Sequence, residues 1–316
     1  MSRPSILLLE SVSNEAHQIL EKDCNLLISP TPNQGFEIAE QHEINGIITR
    51  GKGQVNEQLI DACRGLQAIG RCGVGLDNVN IDAATKLGVK VITAPGSNAD
   101  TVAEHTLGLI LSLQRNLYRS IKEVKAGNWN FRTQYSGDEI RGKTLGVIGM
   151  GDIGSKVARL ASAFGMDIIY WNRSEINSPY TSTSLREVLN TSDIITIHLS
   201  LNDETRGLLN ANSFSNTTKK PILINTSRGG IIDDDEILEA LRKGYLSGFG
   251  ADVLSTEPPV INHPLVQMDN VEITPHSASL TALTFNEMCV LTVNNVLDVI
   301  QGKSIDSKYI YNIQEI

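Results

Sequence analysis

The sequence predicts an α/β protein built from two doubly wound parallel-sheet domains, and three observations carry that prediction. Short, apolar, β-prone runs alternate with helical patterns along the chain; one long apolar helix interrupts the alternation; and a G-x-G-x-x-G turn opens the second series. At 316 residues the chain is long enough to bury two separate cores.

In the first series, strand-like runs fall at Ile6–Leu9, Leu26–Ile28, Gly46–Thr49, Gln67–Arg71 and Val89–Thr93. Helical spacing covers Asn14–Glu21, Asn56–Cys63 and Ile81–Leu87 between them. From Asp100 to Arg119 breakers are few, and the spacing predicts one helix; "TVAEHTLGLILSLQRN" is apolar enough to be buried. The second series starts with the strand Thr144–Ile148, a helix over Ser155–Phe164 and the strand Ile168–Trp171. Ile194–His198, Ile222–Asn225, Gly248–Val253 and Val271–Thr274 continue it, and Leu280–Gln301 is helical again. Because the second series ends before the chain does, the last helix is expected to return to the first domain. That gives a discontinuous domain of residues 1–98 and 283–316 around a domain of residues 99–282. A cleft between the units, at the carboxyl ends of their strands, is the expected ligand site.

Composition narrows the function. A net charge of -9 and a pI of about 5.2 argue against a nucleic-acid partner, which Lys/Arg clusters would have to hold. No apolar run approaches the roughly 18 residues that span a bilayer, so no membrane partner is expected. The opening "MSRPSILLLESVS" enters a strand-like run directly and shows no cleavage site, so no signal peptide is expected. Cys24, Cys63, Cys72 and Cys289 are scattered without C-x-x-C spacing; they predict reduced thiols in a cytoplasmic protein and no metal site.

The chemistry should follow the strand ends. Gly149, Gly151 and Gly154 supply a tight turn, close approach of backbone to a pyrophosphate, and packing of the helix on its strand. The helix N-terminus adds N–H groups and partial positive charge. Arg228, in "ILINTSRGGIIDDDEIL", can present a planar fork to a carboxylate or carbonyl oxygen, although a surface arginine is the blander reading. Asp233, Asp234 and Asp235 suit the cap and first turn of a helix better than a catalytic cluster. Glu257, in "GADVLSTEPP", reads by itself as a solvated loop carboxylate, and His276, in "VEITPHSAS", as a structural histidine. Paired, they form a carboxylate–imidazole couple suited to acid–base work, the carboxylate orienting the ring and stabilising imidazolium. Weaker cases are His17 and His42 as surface positions, His105 in a helix and His263 in a loop.

Taken together, "GRCGVGLDNVNIDAA", "TVAEHTLGLIL", "RGKTLGVIGMGDIGSKVA", "LINTSRGGIID", "ADVLSTEP" and "TPHSAS" give the chain a resemblance to the D-isomer-specific 2-hydroxyacid dehydrogenases over essentially its full length. From Arg50 to Leu87 it most resembles the 3-phosphoglycerate dehydrogenases, and no regulatory domain of the kind that some of them carry is expected. The resemblance implies a Rossmann-type cofactor domain inserted in a smaller flavodoxin-like substrate domain. It implies hydride transfer between a nicotinamide cofactor and a small 2-hydroxy or 2-oxo acid. Arg228 would hold the substrate carboxylate and carbonyl, and His276, with Glu257, would exchange the proton. Backbone N–H groups of Val74 and Gly75 would bind the substrate carboxylate, and Arg50 a substrate phosphate. Cofactor contacts are implied at Asp152, Ile153, His198, Thr205, Thr226 and Asp252, beside the three glycines.

Two positions depart from the family pattern. Ser200 follows "IHL" where proline is common near the nicotinamide. Asn172 stands where the family's NAD enzymes place an Asp on the adenosine ribose, and Arg173 and Ser174 follow it. An amide, a guanidinium and a hydroxyl favour a 2′-phosphate, hence NADP(H), with NAD(H) as the alternative. The segment Asp100–Arg119 and "YRSIKEVKAGNWNFR" would form a homodimer contact. Glyoxylate or hydroxypyruvate reduction is the alternative activity; a dinucleotide-sensing corepressor on the same fold is the alternative of another class.

Overall fold

The protein, here a computed structural model, is described over residues 3–315. It divides into two compact units, one of residues 1–98 with 280–316 and one of residues 99–279.

The first unit runs β1 (Ser5–Leu8), α1 (Asn14–Asp23), β2 (Asn25–Ile28), α2 (Gly35–Gln41), β3 (Gly46–Thr49), α3 (Glu57–Ala62), β4 (Ala68–Arg71), α4 (Ile81–Lys86) and β5 (Lys90–Ile92). Its sheet is wholly parallel in the order β2-β1-β3-β4-β5, which places the change of winding direction between β1 and β3. The central strands are apolar and continuous because helices cover both faces: Ile6, Leu7, Ile47, Ile48 and Ile69 have no exposed surface. Ser13, Asn56 and Asn80 cap α1, α3 and α4, each accepting a backbone N–H of the first turn.

The second unit begins with α5 (Ala99–Gln114) and α6 (Leu117–Lys125). It continues β6 (Thr144–Ile148), α7 (Asp152–Ala163), β7 (Asp167–Trp171), β8 (Thr181–Ser182), α8 (Leu185–Thr191) and β9 (Ile194–Ile197). β10 (Ile222–Asn225), α9 (Asp234–Arg242), β11 (Gly248–Ala251) and β12 (Val271–Ile273) complete it. This sheet is also parallel, in the order β12-β11-β10-β9-β6-β7-β8, with the change of direction between β6 and β9. α10 (Ala282–Ile300) then returns the chain to the first unit. It buries Cys289, Val293 and Val296 against β4, where a side chain on Gly70 would come within 2.6 Å of Val296.

The single helix expected over Asp100–Arg119 is instead two helices. Asn116 adopts a left-handed φ of 47° between α5 and α6. Asn reaches that region more readily than most residues, so a chain without Gly or Pro still turns there. The helix after the glycine turn starts at Asp152, not Ser155, because Gly151 is its N-cap. Periodicity did not signal α2, β8 or α8, which are 7, 2 and 7 residues long.

Candidate active site

The turn from β6 into α7 explains its three glycines separately. Gly149 has φ 95°, and a Cβ there would lie 2.6 Å from the His198 carbonyl oxygen. At Gly154 a Cβ would overlap the Gly149 carbonyl, so the third glycine lets the helix seat on the strand. At Gly151 a Cβ would meet nothing within 4 Å, which leaves open space over the backbone. The N–H of Ser155 makes the first helical bond, to Gly151 O at 2.9 Å, so the N–H groups of Asp152, Ile153 and Gly154 lack intrahelical partners.

Asn172, just past β7, accepts from Met150 N (3.3 Å) and donates to Ser174 O (2.9 Å), which ties the strand end to the glycine turn. Arg173 is exposed and ion-pairs with Glu204, a residue sequence reasoning missed. Glu204 is held in a tight turn where Asn202 Oδ1 accepts its N–H at 3.0 Å. Thr205 Oγ1 donates to Ser200 O at 2.7 Å in the same turn. At the end of β9, His198 Nε2 lies 2.9 Å from Thr196 Oγ1, and its Nδ1 is buried without a partner. Burial pushes the His198 pKa down to about 3, so the ring is neutral. Open space over Gly151, free helix N–H groups and an orphaned imidazole nitrogen together fit a bound dinucleotide.

The ends of β10, β11 and β12 bring Arg228, Glu257 and His276 together. Gly229 makes this possible, since a Cβ there would collide with the Leu254 backbone. Asn225 Nδ2 donates to Arg228 O (2.9 Å) and fixes the loop from the strand side. His276 Nδ1 lies 2.7 Å from Glu257 Oε2, and Glu257 Oε1 accepts from Leu254 N at 3.1 Å. A carboxylate only accepts, so Nδ1 carries the proton toward Glu257 and Nε2 is the nitrogen left for chemistry. Partial burial pushes the Glu257 carboxyl up; the bond and charge of His276, the Leu254 N–H and the Arg228 charge outweigh it and hold it below the ordinary range.

Asp252 holds this arrangement in place. Its Oδ1 accepts from Thr274 Oγ1 (2.5 Å) and Ser277 N (2.8 Å), and its Oδ2 from Ala278 N (2.8 Å). It is 2% exposed, and His105 Nε2 lies 3.8 Å away while contacting Thr274 Oγ1 at 2.9 Å. The hydroxyl of Thr226 is buried against that of Thr106 at 2.8 Å. Within the acidic run, Asp233 caps α9 as the spacing predicts. Asp234 does more: it accepts from both the N–H (3.1 Å) and the hydroxyl (2.8 Å) of Ser255, pinning the loop that carries Glu257. "DDD" signals a helix start but not which carboxylate turns inward.

The first unit carries Arg50, Val74 and Gly75 at the ends of β3 and β4. Arg50 donates to Ser11 O at 3.1 Å, and its guanidinium carbon lies 4.8 Å from the Phe285 ring centroid. Val74 is 41% exposed. No group of metal-ligating side chains occurs among the described residues, and no helix there is long and apolar enough to cross a membrane.

A doubly wound sheet with a glycine turn at its change of direction, and an Arg–Glu–His set at the neighbouring strand ends, defines the class of dinucleotide-binding α/β enzymes. Within that class the chain belongs to the D-isomer-specific 2-hydroxyacid dehydrogenase family: residues 107–278 match the family's NAD-binding domain. It is 39% identical over 286 residues to the D-3-phosphoglycerate dehydrogenase of Bacillus subtilis, covering 87% of this chain and 53% of that protein. The chain thus spans about half the length of that relative. It is 35% identical to the glyoxylate reductase of Aeropyrum pernix, covering 96% of this chain and 95% of that one. Among solved structures, an NADPH-dependent glyoxylate/hydroxypyruvate reductase from Sinorhizobium meliloti, in complex with NADP and malonate, superposes with a TM-score of 0.86 at 29% identity. That match covers 94% of this chain and 93% of the other.

Proposed function

We propose that the protein is an NAD(P)(H)-dependent D-2-hydroxyacid dehydrogenase whose substrate is 3-phosphoglycerate or a close relative of it. The carrying observation is the 2.7 Å His276–Glu257 contact beside Arg228 at adjacent strand ends. When bound, the nicotinamide supplies or accepts the hydride. In reduction, protonated His276 donates from Nε2 to the carbonyl oxygen; in oxidation, neutral Nε2 takes the hydroxyl proton, and Glu257 balances the charge. Arg228 binds the carboxylate and polarises the carbonyl with its two-pronged geometry. The N–H groups of Val74 and Gly75 are assigned to the carboxylate, and Arg50 to a phosphate. Asp152, Ile153 and Gly154 receive the pyrophosphate, with His198, Thr205, Thr226 and Asp252 around the rest of the dinucleotide.

Glyoxylate or hydroxypyruvate reduction is the second reading, favoured by the full-length match to a glyoxylate reductase. Asn172 in place of a carboxylate supports NADP(H); Glu204, which supplies a carboxylate from the next loop, keeps NAD(H) as the alternative. The free thiols accord with a cytoplasmic enzyme. A panel of 2-oxo acids assayed with NADH and NADPH tests the proposal, and negligible turnover with all of them would favour the corepressor reading instead. His276→Gln should lower kcat by about 10²–10⁴-fold with cofactor affinity nearly unchanged. Near-normal turnover in that variant would remove His276 as the proton donor.

A further inference from the structure

The loop that follows β3 has a feature that neither the glycine motif nor the Arg–Glu–His set explains. A single oxygen of Glu10, Oε1, accepts from four consecutive backbone N–H groups: Arg50 (2.9 Å), Gly51 (2.8 Å), Lys52 (2.9 Å) and Gly53 (2.9 Å). The hydroxyl of Thr49 lies 3.0 Å from the same oxygen. Successive N–H groups converging on one point make the kind of concavity in which proteins hold anions, and here the anion is the protein's own.

The arrangement is locked from the other side as well. Asn78 Nδ2 donates to Gly53 O at 2.6 Å and lies 3.2 Å from Thr49 Oγ1. A Cβ on Gly53 would come within 2.8 Å of Leu9 Cβ, so this position takes glycine because the loop is pressed onto the exit of β1. Ser11, the residue after Glu10, provides the carbonyl to which Arg50 donates. Two successive residues after β1 therefore fix the backbone and the side chain of the loop after β3. They do so where the sheet changes winding direction, the usual ligand end of such a sheet.

The electrostatics are specific. Glu10 is neutralised by peptide dipoles and a hydroxyl, not by a side-chain cation. Arg50 donates to a carbonyl, and Lys52 is exposed beside it. The loop is thus ordered by a carboxylate that pairs with neither of the loop's cationic side chains.

We propose that Glu10 is a positioning residue for substrate binding: its carboxylate is the template on which residues 50–53 fold, so that Arg50 meets the anionic end of the substrate preorganised. This rests on the dehydrogenase reading for the identity of the substrate, but not for the loop itself. Glu10→Ala, Glu10→Gln, Arg50→Ala and the double variant Glu10→Ala/Arg50→Ala test it, by amide hydrogen exchange and by kinetics with hydroxypyruvate and its 3-phosphate.

In Glu10→Ala, exchange at residues 50–53 should accelerate about tenfold or more, with β6–β12 exchanging as in the parent. KM should rise about fivefold or more while kcat stays within about twofold, since the loss is in binding and not in the chemical step. Glu10→Gln, which keeps a side-chain oxygen acceptor, should fall between parent and Ala, and it carries the comparison if the Ala variant folds poorly. In the Arg50→Ala background the Glu10 substitution should add almost nothing. Unchanged exchange at 50–53, or a KM increase as large in the Arg50→Ala background as in the parent, would overturn the proposal. A parent that turns over no 2-oxo acid would sink the dehydrogenase reading instead, and the exchange rates would still decide whether Glu10 orders the loop.

Discussion

At the scale of single residues, the most informative position is His276, which sits at φ 52° without being glycine. A left-handed residue costs roughly 1–2 kcal/mol, and such strain persists only where the surroundings over-determine it. Here they do: Asp252 accepts the N–H groups of the two following residues, and Glu257 takes the imidazole. The type and position of His276 are legible in "TPHSAS", but its backbone twist and its dependence on Asp252 are not, because both arise between strands far apart in sequence. Asn172 shows the same limit. Its place at the strand end is legible, whereas the Glu204 that pairs with its neighbour Arg173 comes from a loop about 30 residues on. The proposed NADP(H) preference is tested at that pair. Arg173→Ala should weaken NADPH selectively if the guanidinium leaves Glu204 for a 2′-phosphate, by about tenfold or less because exposed charges are screened. The ratio of kcat/KM for the two cofactors, at one ionic strength, is the measurement; an equal loss with both would make Asn172 a ribose ligand in an NAD site.

At the scale of elements, alternation of apolar runs and helical spacing located the long strands because parallel strands covered on both faces must be apolar throughout. It failed where an element is short or polar. β8 is two exposed residues at the edge of the second sheet, and α8 buries Val188 and Leu189 but at seven residues spans too few turns to leave a periodic trace. The helix break at Asn116 failed for another reason: a left-handed Asn is a backbone event without a hydrophobic signature. The glycine turn, by contrast, is legible in its three glycines, though not in the helix start at Asp152, and the glycines separate by experiment. Gly154→Ala places a methyl group on the Gly149 carbonyl and should destabilise the fold by about 1–3 kcal/mol. Gly151→Ala meets nothing in the protein, so its Tm should stay close to the parent's. The methyl group would instead occupy the open approach to the helix N–H groups. Loss of even one charge-assisted bond, about 1.5–3 kcal/mol, weakens dinucleotide binding by about tenfold or more. Calorimetry with the cofactor and thermal unfolding without it distinguish the two; a Gly151→Ala protein that binds normally would show that the pyrophosphate does not sit there.

At the scale of the whole molecule, two properties remain to be tested: association and acid stability. α6 and the short helical segment after it expose Leu117, Tyr118, Ile121, Val124 and Trp129, and clustered exposed apolar side chains are a feature of interaction surfaces. If this face makes the proposed homodimer, Ile121→Glu should sediment as a monomer where the parent is a dimer; a parent that is already monomeric would end the proposal. Acid stability follows from the carboxylates. Desolvation pushes Glu10 and Glu257 up, but backbone N–H groups around Glu10, and the His276 contact at Glu257, outweigh it and leave both below the ordinary value of 4.5. A depressed folded-state value means that the folded protein prefers the charged form. The stability these groups contribute is therefore complete above about 4.5 and is lost as pH falls through the lowered value. Glu272 has the opposite sign. Burial raises its carboxyl above 4.5, against the opposing bond from Ser112, so protonation favours the folded state and partly offsets the loss. Urea unfolding between about pH 5 and pH 3 should then show a shallower decline for Glu10→Gln than for the parent, and a steeper one for Glu272→Gln. Parallel curves for all three proteins would mean that neither carboxylate changes its proton affinity on folding, and that acid unfolding is driven by other groups.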